Sequence, residues 1–313
     1  MSTFLLLTSP PASGKTYWIE RYYEELGEKI LVISPLKALA LELESKWQGK
    51  ISIRTSESYL LSPEEASVVI FDEWHLLFYW GDEFREKMWQ AFYEISQTAK
   101  LCIGLTATFS ERMKKVVEEW HHFDEFLWVD RGNQCLKYAP KKITRFYSPS
   151  LHKDFITLQS PQKTQLIFCQ FREEVRAWEN DLKREGFKVL GCVGGETADF
   201  SKRLEEGRPD FIISTTCLSH GVNLPIIEVV HFTYKMDNLD FWIQMVARGG
   251  RDGSSYQVFC SHLIKEVKLN FWTNLWRNFK LMIWIEIQKM ILGIDEWFLK
   301  VSSLEKPPTR NGT

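Results

Sequence analysis

The segment Ser9 to Thr16 (SPPASGKT) decides the fold of this 313-residue chain. It follows the apolar run Phe4 to Leu7, which predicts a short buried strand, and precedes Tyr17 to Leu26, whose spacing predicts a helix. A loop with this Gly-Lys-Thr ending, between a strand and a helix, can wrap phosphate groups with its backbone N–H groups. The sequence therefore predicts a nucleotide-binding α/β domain, with a chance turn as the alternative.

Each residue at the end of this phosphate loop has a predicted role. Ser13 and Gly14 offer backbone N–H groups to the phosphates, and Lys15 neutralises the outer ones. The hydroxyl of Thr16 is a ligand for Mg²⁺. We therefore expect a nucleoside triphosphate with its magnesium ion at this loop.

A second apolar run, Val68 to Phe71, ends at Asp72, Glu73, Trp74 and His75 (DEWH). The run predicts a strand that delivers the acidic pair to the carboxyl edge of a sheet, where open α/β folds bind ligands. Asp72 can then hold the metal through water, and Glu73 can activate the attacking water. An acidic pair after a strand is often only a solvated strand end, but the phosphate loop favours catalysis.

The apolar runs of the chain alternate with helical patterns, which predicts parallel sheets with helical crossovers. The first half adds a strand at Ile30 to Ser34, a helix at Leu36 to Trp47 and a strand at Ile51 to Thr55. The patterning is interrupted at Lys137 to Ser150 by two prolines. We therefore predict an α/β protein with domains at 1–140 and 141–263 and a helical extension at 264–313.

The predicted elements of the second domain follow the same alternation. Its strands are predicted at Gln165 to Cys169, Lys188 to Cys192, Phe211 to Thr215, Ile227 to Phe232 and Tyr256 to Cys260, with helices at Glu173 to Glu185 and from Leu239. The last helix carries Gln244 to Arg251 (QMVARGGR), a glutamine with two arginines. These side chains can reach the phosphate loop only if the second domain closes over the nucleotide.

With these motifs, the chain resembles the superfamily 2 helicases of the DExH type over residues 3 to about 260. The matching segments, in the order of that family, are SPPASGKT (motif I), Ser34 to Ala40 (motif Ia), DEWH (motif II), Thr106 to Thr108 (motif III), Leu166 to Phe171 (motif IV), Ser214 to Pro225 (motif V) and QMVARGGR (motif VI). The resemblance implies two tandem RecA-like parallel-sheet domains of the P-loop NTPase class, with ATP and Mg²⁺ between them.

The resemblance also implies roles for residues outside the phosphate loop. Catalysis is assigned to Glu73, Gln244, Arg248 and Arg251, close backbone approach to the nucleotide to Gly221, and coupling between the sites to His75, Thr106 and Thr108. The nucleic-acid contacts are assigned to Pro35, Lys37, Thr55, Ser56, Gln170, Phe171, Thr215 and Thr216. For any one of these contacts, a plain solvated loop end is the alternative.

The expected partner is single-stranded or partly duplex nucleic acid, with DNA favoured over RNA and RNA left open. The net charge of -2 lowers the expected affinity without excluding a strand, because helicases also grip phosphates with N–H groups and hydroxyls. No apolar run has the length of a membrane span, and the six cysteines are dispersed, which predicts buried free thiols and a cytoplasmic protein.

An aromatic segment follows the second domain. Ile264 to Leu299 contains Phe271, Trp272, Trp276, Phe279, Trp284, Trp297 and Phe298. Aromatic residues at helical spacing predict a pair of helices packed on the second domain. The alternatives are a surface for a protein partner and a stacking platform for bases.

These patterns favour an ATP-dependent helicase or single-strand translocase. One alternative is a nucleotide-gated interaction subunit or clamp whose ATPase needs a partner protein. Another is a phosphotransferase acting on a small substrate, but such an enzyme needs neither motif VI nor the second domain.

Overall fold

The computed structural model describes residues 2–26, 29–81, 85–120, 123–159, 161–220, 222–262 and 267–304, with no side chains at 24, 26, 38 and 293–304. Gly221 therefore lies outside the described residues, as do the side chains of Trp297 and Phe298.

The first half of the chain forms a six-stranded sheet in which every pairing is parallel. Its strands are β1 (Thr3–Thr8), β2 (Ile30–Ile33), β3 (Ser52–Arg54), β4 (Val68–Phe71), β5 (Leu101–Thr106) and β6 (Glu125–Asp130). Its helices are α1 (Lys15–Leu26), α2 (Lys37–Trp47), α3 (Ser56–Leu61), α4 (Leu76–Trp80), α5 (Lys87–Thr98) and α6 (Glu111–Glu118). The strand order is β3-β2-β4-β5-β1-β6.

Strand β1 shows why this half folds as a covered sheet. Phe4 and Leu6 belong to the core on one face, and Leu5 and Leu7 pack into the core on the other. Alternate side chains of a strand point to opposite faces, so a continuous apolar run is buried on both sides by helices. The short apolar runs of the sequence therefore become the central strands.

The second half repeats this architecture with a second all-parallel sheet of six strands. Its strands are β7 (Lys142–Arg145), β8 (Thr164–Phe168), β9 (Val189–Cys192), β10 (Phe211–Ser214), β11 (Ile227–Phe232) and β12 (Gln257–Cys260), in the order β7-β12-β11-β8-β10-β9. Its helices are α7 (Pro149–Thr157), α8 (Arg172–Arg184), α9 (Thr197–Glu205), a 3-10 turn at Thr216–Ser219, and α10 (Leu239–Val246). Two parallel α/β sheets confirm the predicted fold class.

Over residues 267–304 the C-terminal extension contains one helix, α11 (Phe271–Leu304), so the prediction of a helix pair is wrong there. Asn274 pairs with the edge strand β7, because its Nδ2 donates to Arg145 O and its Oδ1 accepts from Arg145 N, each at 3.1 Å. One turn later, Asn278 Oδ1 accepts from Tyr147 N at 3.3 Å. The side-chain amides of α11 therefore satisfy backbone groups that an edge strand otherwise leaves open.

The opposite side of α11 is apolar and open to solvent. Trp272 is 74% exposed, and Trp276 is 58% exposed. The other exposed apolar residues of the helix are Phe271, Leu275, Phe279, Met282, Ile283, Ile287, Met290, Ile291 and Leu292. We call this set the apolar surface of α11. Aromatic residues predicted to pack on the second domain therefore lie largely outside its core.

The structure also bears on the cysteines and on membrane-spanning helices. All six cysteines are free, but Cys135 is exposed and Cys217 is half-buried, so the prediction of buried thiols is wrong for these two. Within the described ranges, no helix has the length and apolar character needed to cross a membrane.

Candidate active site

The phosphate loop connects β1 to α1, at the carboxyl edge of the first sheet. Gly14 has a φ of 94°, a left-handed conformation that glycine adopts without the steric cost of a Cβ atom. Lys15 Nζ donates to the carbonyls of Ser9 at 3.2 Å and Pro10 at 3.4 Å. The lysine therefore lies across its own loop, where its ammonium can turn to phosphate oxygens.

Asp72 and Glu73 follow β4, a neighbour of β5, and β5 in turn pairs with β1. The order of the strands brings the acidic pair to the phosphate loop. Asp72 Oδ1 accepts a hydrogen bond from Glu73 N at 2.9 Å, and Glu73 adopts a left-handed φ of 45°. A non-glycine residue in this region is uncommon, and such strain concentrates at functional sites.

Burial, and then the charge of Glu73, raise the pKa of Asp72 to about 7. Burial also raises the pKa of Glu73, although the charges of Lys15, Arg248 and Arg251 oppose that shift. Within the described part of the chain, no lysine or arginine forms an ion pair with Asp72. A buried carboxylate without an ion-pair partner is well suited to bind a metal cation.

The second domain contributes Gln244 and Arg251 to the same site. Gln244 Nε2, from α10, lies 3.5 Å from Glu73 Oε2. Arg251 follows that helix and donates from Nε to Ala247 O at 3.3 Å. Both side chains line a cavity of about 340 Å³ together with the phosphate loop, Asp72 and Glu73. The domains therefore meet at the predicted nucleotide site.

Arg248 does not line this cavity. Its guanidinium is buried, with Nε donating to Ser219 O at 3.1 Å and Nη1 donating to Val222 O at 2.6 Å. The arginine therefore fixes the backbone of motif V on either side of Gly221. In this structure two of its N–H donors are thus used by buried carbonyls, and the catalytic role of Arg248 stays a prediction.

The cavity also includes residues that sequence reasoning missed. Leu39 and Glu42 reach it from α2, and Val222 and Asn223 reach it from motif V. Leu39 and Glu42 are three residues apart on one helix, so their spacing indicated that they share a face. Val222 and Asn223 follow Gly221, so this part of motif V does approach the site.

The cavity fits a nucleoside triphosphate with magnesium. Lys15 and Arg251 supply positive charge from opposite domains, and Thr16 lines the wall beside Asp72. A hydroxyl and a carboxylate are oxygen ligands, which Mg²⁺ prefers, and Mg²⁺ usually keeps several waters of its own.

The three residues predicted to couple the sites form one hydrogen-bonded group. His75 Nδ1 lies 2.9 Å from Thr106 Oγ1, and Thr106 Oγ1 donates to Thr108 O at 3.0 Å. On its other side, His75 Nε2 lies 3.3 Å from Nε2 of His220 in the second domain. Burial lowers the pKa of His75 to about 4, so the imidazole is neutral at physiological pH. His220 was not predicted from the sequence.

The residues predicted to contact nucleic acid all follow the carboxyl ends of strands, at β2, β3, β8 and β10. Their side chains differ in exposure. Lys37, Gln170, Phe171 and Thr216 are exposed, and Thr55 and Thr215 are half-buried. Thr55 also caps α3, because its Oγ1 accepts from Ser58 N at 3.3 Å.

Pro35 and Ser56 are buried, so their side chains do not present a surface to a nucleic-acid strand. The Pro35 carbonyl accepts a hydrogen bond from Arg85 Nη1. The nucleic-acid contacts at Pro35 and Ser56 stay a prediction.

Residues 149–253 match the family described as helicase conserved C-terminal domain. The chain is also 23% identical over 320 residues to putative helicase 7 of Sulfolobus islandicus filamentous virus (isolate Iceland/Hveragerdi), which covers 82% of this chain and 52% of the relative. These matches confirm the predicted resemblance to the superfamily 2 helicases.

Two further comparisons bear on the helicase fold and its relatives. The probable ATP-dependent DNA helicase RecS of Bacillus subtilis (strain 168) is 23% identical over 198 residues, which is 60% of this chain and 39% of RecS. The structure of the DEAD-box helicase Mss116 bound to ssRNA and UDP-BeF aligns with a TM-score of 0.67 at 14% identity, over 85% of this chain and 67% of that chain. The chain spans 52% of the length of putative helicase 7 and 39% of the length of RecS.

Proposed function

We propose that this protein is an ATP-dependent helicase or single-strand translocase of the DExH type. The observation that carries the proposal is the cavity of about 340 Å³ between the domains, which contains Lys15 and Glu73 from one domain and Gln244 and Arg251 from the other. A site divided in this way is complete only when the domains are together. Nucleic acid that brings the domains together can therefore control hydrolysis.

In the proposed reaction, a water oxygen attacks the γ-phosphorus of ATP and the bond to the ADP oxygen breaks. Glu73 accepts the proton of that water, and Gln244, whose amide lies 3.5 Å from Glu73 Oε2, helps to hold the water in line. Arg251 stabilises the charge that develops on the phosphoryl group.

The first domain binds ATP before hydrolysis. The backbone N–H groups of Ser13 and Gly14 and the ammonium of Lys15 bind the phosphates. Thr16 and Asp72 would hold Mg²⁺, which neutralises phosphate charge when it is bound. Lys15, with Mg²⁺ when it is bound, would offset the carboxylate charges that burial makes unfavourable.

The nucleic-acid strand is proposed to cross the carboxyl edges of both sheets. Lys37 lies on the first domain, and Phe171 and Thr216 lie on the second. All three are exposed, which suits a phosphate contact, a base-stacking contact and a hydroxyl contact, respectively. His75, Thr106 and Thr108 are proposed to couple this edge to the nucleotide.

We propose DNA as the preferred strand and RNA as the weaker one. RecS is named a DNA helicase, whereas the aligned Mss116 structure contains ssRNA. The 2′-hydroxyl is the group that distinguishes the two substrates at a given site. Matched DNA and RNA oligonucleotides of one sequence therefore test the preference.

We further propose that a protein partner covers the apolar surface of α11, because exposed apolar patches of this kind are typical of interaction sites. The six free cysteines support a reducing, cytoplasmic compartment.

The test is steady-state ATP hydrolysis with and without single-stranded DNA or RNA, with Lys15→Ala as the inactive control. The proposal predicts magnesium-dependent hydrolysis that a strand stimulates. Hydrolysis that no strand stimulates contradicts it.

A further inference from the structure

His75 and His220 face each other across the domain interface, with their Nε2 atoms 3.3 Å apart. Both imidazoles are buried. Their Nδ1 atoms point to hydroxyls, at 2.9 Å from Thr106 Oγ1 and 2.6 Å from Ser219 Oγ. Which nitrogen of each ring carries the proton is decided by what these hydroxyls can donate.

A hydroxyl group has one hydrogen to donate. Thr106 Oγ1 donates to Thr108 O at 3.0 Å, and Ser219 Oγ donates to Thr216 O at 2.5 Å. When both hydroxyls donate in this way, their oxygens are acceptors toward the rings, and each imidazole carries its proton on Nδ1. In that tautomer the two Nε2 lone pairs face each other with no hydrogen between them, and a cation between them removes the repulsion.

A second buried histidine pair in the same protein shows the contrast. His231 Nε2 donates to Gln165 Oε1 at 2.8 Å, because the amide group of Gln165 donates to Gln159. His231 Nδ1 accepts from His152 Nε2 at 3.0 Å, and His152 Nδ1 accepts from the Ser261 hydroxyl at 2.9 Å. Every N–H and O–H donor in this series of hydrogen bonds has an acceptor. The pair of His152 and His231 thus needs no cation.

A carboxylate completes the set at the domain interface. One ligand atom from each of Glu73, His75 and His220 lies within 4.8 Å of the ligand atoms of the other two. Ligands about 2.0 to 2.2 Å from a tetrahedral zinc ion are about 3.4 Å apart, close to the separation of the two Nε2 atoms.

We propose that Glu73, His75 and His220 bind one divalent transition-metal ion of the zinc class between the two domains. Two imidazoles and a carboxylate suit zinc and cobalt better than magnesium, which prefers oxygen ligands. The hydroxyls of Thr106 and Ser219 fix the tautomers, as outer partners of metal-binding histidines commonly do. The cavity beside Glu73 leaves room for a water ligand.

The bound ion inhibits hydrolysis. It occupies the carboxylate that activates water, and it ties the domains together in one arrangement. This consequence rests on the proposed function, whereas metal binding does not.

The test is titration of the chelator-treated full chain with Co²⁺, whose visible absorption is intense in four-coordinate sites and weak in water. We expect this absorption in the wild type, its displacement by Zn²⁺, and its retention in the matched control His152→Gln. In His220→Gln we expect loss of the absorption and a fall in Zn²⁺ affinity on the order of 100-fold or more, since removing even an outer partner costs about 10- to 100-fold.

Cys192 and Cys217, with their Sγ atoms 3.8 Å apart, are the rival site for a soft metal. Thiolate coordination to Co²⁺ adds near-ultraviolet charge-transfer bands, and Cys217→Ser removes them. Absorption that survives in His220→Gln, disappears in Cys217→Ser or never forms in the wild type overturns the proposal.

If His220→Gln does not fold, as judged by circular dichroism, Glu73→Gln removes a ligand from the cavity wall and should lose the same absorption. A wild type that binds Co²⁺ through His220 but hydrolyses no ATP leaves the metal site standing and rejects the proposed function alone.

Discussion

Replacing Arg251 with alanine tests the division of the active site between two domains. Arg251 lines the cavity between the domains, whereas Arg248 donates to the backbone carbonyls of Ser219 and Val222. We therefore expect Arg251, and not Arg248, to stabilise the transition state of hydrolysis. An arginine finger supplies about 10³ to 10⁵ in turnover, or about 4 to 7 kcal/mol at about 1.36 kcal/mol per decade.

The assay is the turnover number of ATP hydrolysis at saturating single strand, beside the affinity for a fluorescent nucleotide. Arg251→Ala should lower turnover by about 10³ or more and leave nucleotide affinity within a few-fold. Its melting temperature should change little, because the hydrogen bond described for its guanidinium is a local one to Ala247 O.

Arg251→Lys is the matched control. It keeps the charge but loses the planar fork, so its turnover should lie between those of the wild type and the alanine variant. Normal strand-stimulated turnover in Arg251→Ala would refute the reasoning and make this arginine a surface ion-pair partner of little energetic value.

The remaining predictions concern the other charged residues at and beside the cavity. Lys15→Ala should abolish hydrolysis and weaken nucleotide binding, and wild-type turnover would reject the assignment of the phosphate loop. Glu73→Gln should keep nucleotide and magnesium bound while hydrolysis stops; equilibrium binding as poor as that of Lys15→Ala would contradict its role. Arg248→Ala should lower the free energy of unfolding by at least about 3 kcal/mol, because two buried carbonyls lose charged donors; urea denaturation at wild-type stability argues against this. The carboxyl of Asp72, whose pKa is raised from 3.8 to about 7, holds a proton in the folded protein that the unfolded chain releases, so stability falls as the pH rises through that window. Asp72→Asn should therefore raise the melting temperature of the nucleotide-free protein at pH 8 and flatten its pH profile, and an unaltered profile would count against the raised pKa.

The sheets were predictable from the sequence because their central strands are continuous apolar runs. Val68 to Phe71, for example, is both the predicted run and strand β4. The meeting of Lys15, Asp72 and Glu73 was also predictable, because the carboxyl ends of adjacent parallel strands share one edge. The order β4-β5-β1 puts them there.

The direction of individual side chains across the interface was not predictable. Arg248 and Arg251 are three residues apart beyond the end of α10, and their spacing does not tell which guanidinium faces the cavity. His220 was missed because its partner, His75, is 145 residues away. The single helix α11 was missed because aromatic spacing indicates a helical face without fixing how far the helix continues.

The amides of Asn274 and Asn278 have a consequence for how copies of this protein avoid one another. Strand β7 is the last strand of its sheet, and these side chains stand where a further strand would pair. A chain shortened before Phe271 would present Arg145 and Tyr147 with free N–H groups, and exposed strand edges recruit strands from other molecules. Helix α11 therefore blocks the pairing of this edge with strands of other copies, and two asparagines one helical turn apart hold it in place.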